Sequence, residues 1–239
     1  MVISRAAAKL NLLLDMLPPD DLSSVLPMLE AVEFPLRLQL HRQGEIIAFV
    51  YFPTSGMISL VANLIDGTQA EVGIVGREGM LGSSLLFGVD TPFVESMVQM
   101  TGAGLKMNVN DFRRLLDSIA PFRSQVARFH ELLMAQVMQT AACNGRHGLE
   151  QRLARWLLMA HDRTEGDVLH LTQEFMAMML GVHRPSITIT AGILQRAGLI
   201  RYASGQITVL DRPSLEAACC ECYEMVTSRH FALLGTTLK

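Results

Sequence analysis

Residues 171–200 constrain this chain more than any other stretch. Two segments with helical apolar spacing flank Gly181, and a short strand-like run comes after them. Thr172 is placed to cap the first segment by accepting from its exposed amides, and Glu174 suits the positive end of that helix. Met176, Met179 and Leu180 fall on one face, and Ala177 lets a second helix approach closely. Gly181 can adopt the left-handed backbone that ends a helix, and Val182 then returns to the core. Pro185 suits the first turn of the next helix, where its missing amide hydrogen costs little. Ile187, Ala191 and Leu194 recur at i, i+4, i+7 and mark that helix's buried face, which runs to about Ala197-Gly198.

An ordinary helical hairpin in a globular core also satisfies this pattern. The next residues separate the two readings. Ile200 to Tyr202, Ala203-Ser204-Gly205 and Gln206 to Leu210 read as a hairpin about a Ser-Gly turn. Two helices, a tight turn and a hairpin predict a winged helix-turn-helix, whose second helix enters the DNA major groove. The residues predicted to face DNA are Thr172, Gln173, His183, Arg184, Pro185, Ser186, Thr188, Ile189, Gln195 and Arg196, with Ser204, Gly205 and Gln206 on the wing.

The 239 residues allow one large or two small domains. Half are hydrophobic, and mean hydropathy is +0.30. No run approaches the ~18 uninterrupted apolar residues of a membrane span, so no membrane association is expected. Met1 to Leu14 is read as helix and not as a signal peptide. The net charge of −3 does not advertise nucleic-acid binding, so the footprint must be local. Arg184, Arg196, Arg201 and Arg212 make residues 171–212 such a basic region. The four cysteines, Cys143, Cys219, Cys220 and Cys222, form no disulfide scaffold, and a reduced, cytoplasmic setting fits. The Cys-Cys-x-Cys cluster lacks an accompanying Cys-x-x-Cys or His-x-x-x-His motif. It is read as small, buried helix residues within 213–228, with no metal site expected.

Residues 1–32 read as helical around the Pro18-Pro19 break, with Asp20 or Asp21 capping a short helix from Leu22 to Leu29. Recurrent glycines then separate apolar runs at Phe34–Leu40, Ile46–Phe52, Met57–Val61, Gln69–Ile74 and Phe93–Met100, the pattern of an antiparallel barrel or roll. Asp66-Gly67 is a hairpin turn. Helix resumes at Asn110, and Pro121 opens a new one. Its apolar positions (Val126, Phe129, Leu132, Leu133, Ala135, Val137) call for a cover, either a second subunit's helix or the chain's own roll. Asn144-Gly145 predicts its end, and Leu149 to His161 a further amphipathic helix.

This order resembles the Crp/Fnr family of bacterial transcription regulators over about residues 20–230. The most specific stretch runs from Leu171-Thr172 through Gly181-Val182-x-Arg184 to Ala197-Gly198-Leu199-Ile200. Weaker matches are Gly44-Glu45, Tyr51-Phe52, Gly56 and Gly76-Arg77-Glu78-Gly79-Met80-Leu81-Gly82. The resemblance implies an α+β fold: a jelly-roll-like antiparallel β-roll, a long dimerisation helix and a C-terminal winged helix-turn-helix. Domains are expected at 1–118 (sensor roll), 119–143 (dimer helix) and 144–239 (DNA binding). It implies double-stranded DNA and a second copy of the chain, through 119–143, as partners, with RNA polymerase as a further contact.

Arg184 matches the arginine that opens the family's recognition helix, and an arginine fork pairs with guanine O6 and N7. Ser186 matches a hydroxyl suited to phosphate. Pro185 and Ile189 stand where many members have glutamate and arginine, so the operator should differ; Ile189 can pack on a thymine methyl. The effector pocket is expected at Gly79, Gly82, Ser83, Ser84, Glu95 and Ser96. Ser83 aligns with the family's ribose-binding glutamate and Glu95 with its phosphate-binding arginine, so the usual cyclic AMP mode is not expected. Residues 1–142 contain no cysteine, which excludes the family's N-terminal iron–sulfur mode. A haem reading would rest on His41 and His130, though lone histidines are more often ordinary surface or core residues. No cofactor is predicted, and the effector stays unassigned. No catalytic residue is expected: neither Asp20-Asp21 nor the cysteine cluster comes with a nucleophile, base and orienter. The alternative function is a ligand-sensing module whose winged helix contacts protein.

Overall fold

The computed structural model describes residues 3–235. Met1, Val2 and residues 236–239, which the first and last predicted segments include, lie outside the described residues. Three short helices come first: α1 (Arg5–Ala8), α2 (Leu12–Asp15) and α3 (Pro19–Val25). Asn11 ties them to the strand-rich region. Its side-chain oxygen accepts from the Leu14 amide, capping α2, while its Nδ2 donates to the carbonyls of Pro53 and Gly79 at 2.8 Å each. Two expectations need correcting. Helix does not extend to residue 32, because β1 (Glu30–Phe34) has begun by then. Asp20 and Asp21 do not cap; Pro18 holds the cap position and both acids sit in the first turn, where the helix dipole favours them.

The roll consists of β1, β2 (Gln39–His41), β3 (Phe49–Pro53), β4 (Met57–Asn63), β5 (Gln69–Val75), β6 (Glu95–Met100) and β7 (Gly102–Asn108). They form two antiparallel sheets, ordered β1-β7-β3 and β2-β6-β4-β5. The predicted run Phe34–Leu40 is instead a strand end, a turn in which Arg37 takes φ +67°, and a new strand. The β4–β5 hairpin turns at Asp66-Gly67 as expected, with Asp66 accepting from the Thr68 amide. Between the sheets pack Phe34, Val50, Phe52, Ile58, Val75, Val98 and Leu105.

After α4 (Val109–Ser118) comes the 27-residue α5 (Ala120–Arg146), with Pro121 in its first turn. It runs through the predicted break at Asn144-Gly145 and ends at His147, giving way to α6 (Leu149–His161) after Gly148. Phe122, Val126, Phe129, Leu132 and Leu133 of α5 are buried within the chain: the roll covers one side and the C-terminal helix α10 (Cys222–Leu234) another. The chain's own elements thus supply the cover that the sequence left open. What α5 leaves exposed is a different stripe. Met134, Met138, Ala141 and Gly145 lie toward solvent at three- and four-residue spacings, with Ala127 and the charged Glu131 continuing the line toward the helix start and Met138 63% exposed.

The remaining elements are β8 (Val168–His170), α7 (Gln173–Leu180), α8 (Arg184–Arg196), β9 (Ile200–Ala203), β10 (Gln206–Val209) and α9 (Arg212–Ala218). A second core gathers Leu153, Leu157, Leu169, Met176, Ile187, Leu194, Ile200, Ile207 and Leu215. It also takes in Met57, Val61 and Ile74 from the roll, so the C-terminal half is docked on the outer face of β4-β5. Buried polar groups hold the seam. The Glu71 carboxylate accepts from Ser59 Oγ at 2.6 Å and from Trp156 Nε1 at 2.7 Å. Arg163 grips Glu78 through Nε at 2.9 Å and a terminal nitrogen at 2.6 Å, with side chains only 4% and 2% exposed. No described helix is long and apolar enough to cross a membrane.

Candidate nucleic-acid interface

The helix-turn-helix forms for the local reasons its sequence supplies. Thr172 Oγ1 accepts from the Phe175 amide and caps α7. Gly181 ends α7 at φ +62°, a backbone that a side chain would strain, and its amide bonds back into the last turn. The chain re-enters helix at Arg184 with His183 at the cap position and Pro185 in the first turn. Ile187, Thr190, Ala191 and Leu194 face the core; the Thr190 hydroxyl is satisfied by the Ser186 carbonyl at 2.8 Å.

The outer face of α8 is the candidate reading surface. Arg184 is 64% exposed and lies 3.7 Å from the Glu174 carboxylate of α7. Both groups are solvated, so this pair is weak and releases readily to a phosphate or base edge. Thr188 Oγ1 donates to Gln173 Oε1 at 2.7 Å, so Gln173 orients a neighbour on α8. Ile189 is 65% exposed, an apolar group held out in water. His183, Pro185 and Arg196 are exposed and Ser186 is half-buried. Gln195 is less free than the sequence implied: its Oε1 accepts from the Tyr202 amide at 2.7 Å and so braces the wing.

The wing turn places Ser204 at φ +50° and Gly205 at φ +75°. Positive φ at both central residues is the hairpin turn whose twist matches its strands. The Gly205 carbonyl accepts from the Leu171 amide, fastening the wing tip to the start of the helix-turn-helix. Sequence reasoning missed the third strand, β8, which pairs with β10 and sets His170 opposite Gln206. At three residues it was too short for a periodic signal. The basic footprint is also smaller than predicted. Arg212 turns inward, donating to Asp162 at 2.7 Å, Tyr223 at 2.6 Å, His161 and Glu216, so Arg184, Arg196 and Arg201 carry the local charge.

The predicted effector residues divide between two faces of the roll. Gly79 lies against the Phe129 ring so closely that a Cβ would fall 1.9 Å from it. Gly82 abuts Val50, Ser83 bonds His130 Nδ1 at 3.0 Å, and Ser84 is half-buried in the following turn. Ser96 is buried opposite His41. Glu95, one residue away on the same strand, points to the other face, because successive strand side chains alternate. His41 donates from Nε2 to the Phe49 carbonyl at 2.8 Å, which occupies the nitrogen a haem would need; burial lowers its pKa.

Residues 151–218 match the Crp-like helix-turn-helix domain. No curated protein matches the sequence. Among solved structures, FixK2 from Bradyrhizobium japonicum superposes with a TM-score of 0.70 at 13% identity, over 80% of this chain and 98% of that one. CLP, the c-di-GMP responsive global regulator of Xanthomonas campestris, gives 0.66 at 17% identity, over 81% and 100%. TTHB099, a CRP-family transcriptional regulator from Thermus thermophilus, gives 0.64 at 20%, over 87% and 98%. The chain thus joins a Crp-like helix-turn-helix domain to the overall fold of the Crp/Fnr transcription regulators.

Proposed function

We propose that the protein is a sequence-specific DNA-binding transcription regulator that acts as a homodimer. The observation that carries this reading is α8: its apolar face is fully committed to the core, while Arg184, Thr188 and Ile189 stand outward beside a wing. Affinity would come chiefly from phosphate contacts, from Arg196, Ser186, Arg201 and the wing backbone at Ser204 and Gly205. Specificity would come from Arg184 on guanine and Ile189 on a thymine methyl. Pro185 offers no base hydrogen bond.

The exposed α5 stripe supports the dimer. Two methionines and two small residues at three- and four-residue spacings over 134–145 suit a second helix, and this stretch extends slightly past the end of the predicted 119–143 segment. Two recognition helices would then address two half-sites about one DNA turn apart. The roll would sense a signal by a route other than the familiar cyclic AMP mode, since Glu95 lies on the roll's outer face. An electrophoretic shift on genomic fragments, followed by footprinting, tests the reading. A protected pseudo-palindrome is expected. Failure to select any fragment over random DNA would overturn it and favour protein contacts by the winged helix.

A further inference from the structure

Cys143 stands 77 residues before Cys220 along the chain, and no local motif links the two. The fold brings them together. Cys143 and His147, one helical turn apart at the end of α5, meet Cys220 from the α9–α10 connection and Cys222 at the start of α10. The three sulfurs and one imidazole nitrogen all lie within 4.8 Å of one another. Cys143 Sγ is 3.5 Å from Cys220 Sγ, and Cys222 Sγ is 3.5 Å from His147 Nδ1.

We propose that Cys143, His147, Cys220 and Cys222 form a closed four-coordinate site for a single thiophilic divalent cation of the zinc type. A tetrahedron with metal–sulfur bonds of about 2.3 Å has edges of about 3.8 Å, close to the separations found. An iron–sulfur cluster, with several metal atoms between its ligands, would spread the sulfurs further apart. Three thiolates and an imidazole form one of the usual sets for structural zinc, with no position left for a substrate.

The surroundings fit a filled site. His147 presents Nδ1 to the cluster, while its Nε2 lies 3.4 Å from the Glu221 carboxylate, the arrangement that fixes a ligating histidine's tautomer and orientation. Gln139 Nε2 donates to Cys222 Sγ at 3.0 Å, a donor aimed at a sulfur ligand. Three thiolates around a divalent cation leave one negative charge. The Arg155 guanidinium, only 5% exposed, lines the same small cavity as Cys143, and its Nε has no hydrogen-bond partner among the described residues. Cys220 and Glu221 also border a cavity of about 540 Å³, which gives an ion an entry path. Cys219 stands apart, with its thiol on the Cys220 carbonyl. The site would clamp the far end of the long helix to the C-terminal helices across the bend at His147-Gly148.

The test uses the reduced full chain, stripped of metal and titrated with cobalt(II) and then zinc. Expected are uptake of about one equivalent per chain, the strong visible bands of tetrahedral cobalt–thiolate, their loss on zinc addition, and a zinc-dependent rise in Tm. Cys143→Ser and Cys222→Ser should lose the bands, Cys219→Ser should keep them, and Glu221→Ala should weaken binding by about 10- to 100-fold. No cobalt bands and no zinc effect on Tm in the unmodified chain would overturn the proposal without reliance on any variant. So would full retention of the bands by Cys143→Ser, or their loss in a well-folded Cys219→Ser.

Discussion

At the scale of the residue, Arg184 and Glu71 show how position decides what a charge does. Arg184 is solvated and lightly held, so its guanidinium is free to meet an anion. Replacing it with Ala should cost about 1–3 kcal/mol on the cognate site and relax preference at one base position. A binding titration across single-base operator variants checks this; a uniform loss on all sequences would make Arg184 a phosphate contact only. Glu71 is the opposite case. Burial at the seam pushes its carboxyl from the ordinary 4.5 up to about 7, against the pull of Ser59, Trp156, Arg163 and Arg155. A raised folded-state pKa means that the folded chain holds the proton more tightly. The resulting stability is full below about pH 4.5 and is lost as pH rises through about 7, worth up to about 3 kcal/mol. Denaturant unfolding should therefore show the parent chain losing stability relative to Glu71→Gln between about pH 5 and pH 8. Parallel pH profiles for the two proteins would refute the assignment.

At the scale of the element, the seam between roll and winged helix depends on a buried ion pair. Burial alone would raise the Glu78 carboxyl, but the Arg163 guanidinium and the charge of His230 hold it below its ordinary value. Arg163→Ala strands that carboxylate in a dry interior and should destabilise the chain by about 3–5 kcal/mol. Replacing both partners with Met should restore much of the loss, and a double-mutant cycle in urea measures the coupling. The exposed face of α5 makes a separate prediction. Met134→Glu with Met138→Glu places like charges on the stripe, and it should shift the chain toward monomer in sedimentation without lowering monomer Tm. An unchanged sedimentation coefficient would remove this face as the dimer contact.

At the scale of the whole molecule, the two halves form one packed body, because Met57, Val61 and Ile74 of the roll enter the second core. A signal bound by the roll would therefore act on the helix-turn-helix through the seam, and not along a loose tether. The inward space is already filled near Gly79 and Gly82, and Glu95 faces outward, so cyclic AMP should leave the Tm unchanged. A melting shift that grows with cyclic AMP concentration would overturn that reading of the pocket.

The winged helix was legible in the sequence because its signals are local. Thr172 as a cap, Gly181 as a stop, Pro185 as a start and the Ser204-Gly205 turn each act within a few residues, and i, i+4 spacing marked the buried face of α8. The strand order of the roll, the inward turn of Arg212 and the role of α10 as cover for α5 were not legible, since each is a choice of partner far along the chain. The same holds for Glu71 with Trp156, and for Cys143 and His147 with Cys220 and Cys222. The sequence by itself determined where most helices, strands and turns fall, and which side chains α8 turns away from the core, because backbone preference and periodicity are short-range. Only the tertiary structure decided which buried charges meet, which face of α5 stays open and that four metal-ligating side chains converge, because these follow from packing between segments far apart in the chain, such as Glu71 and Trp156 at a separation of 85 residues.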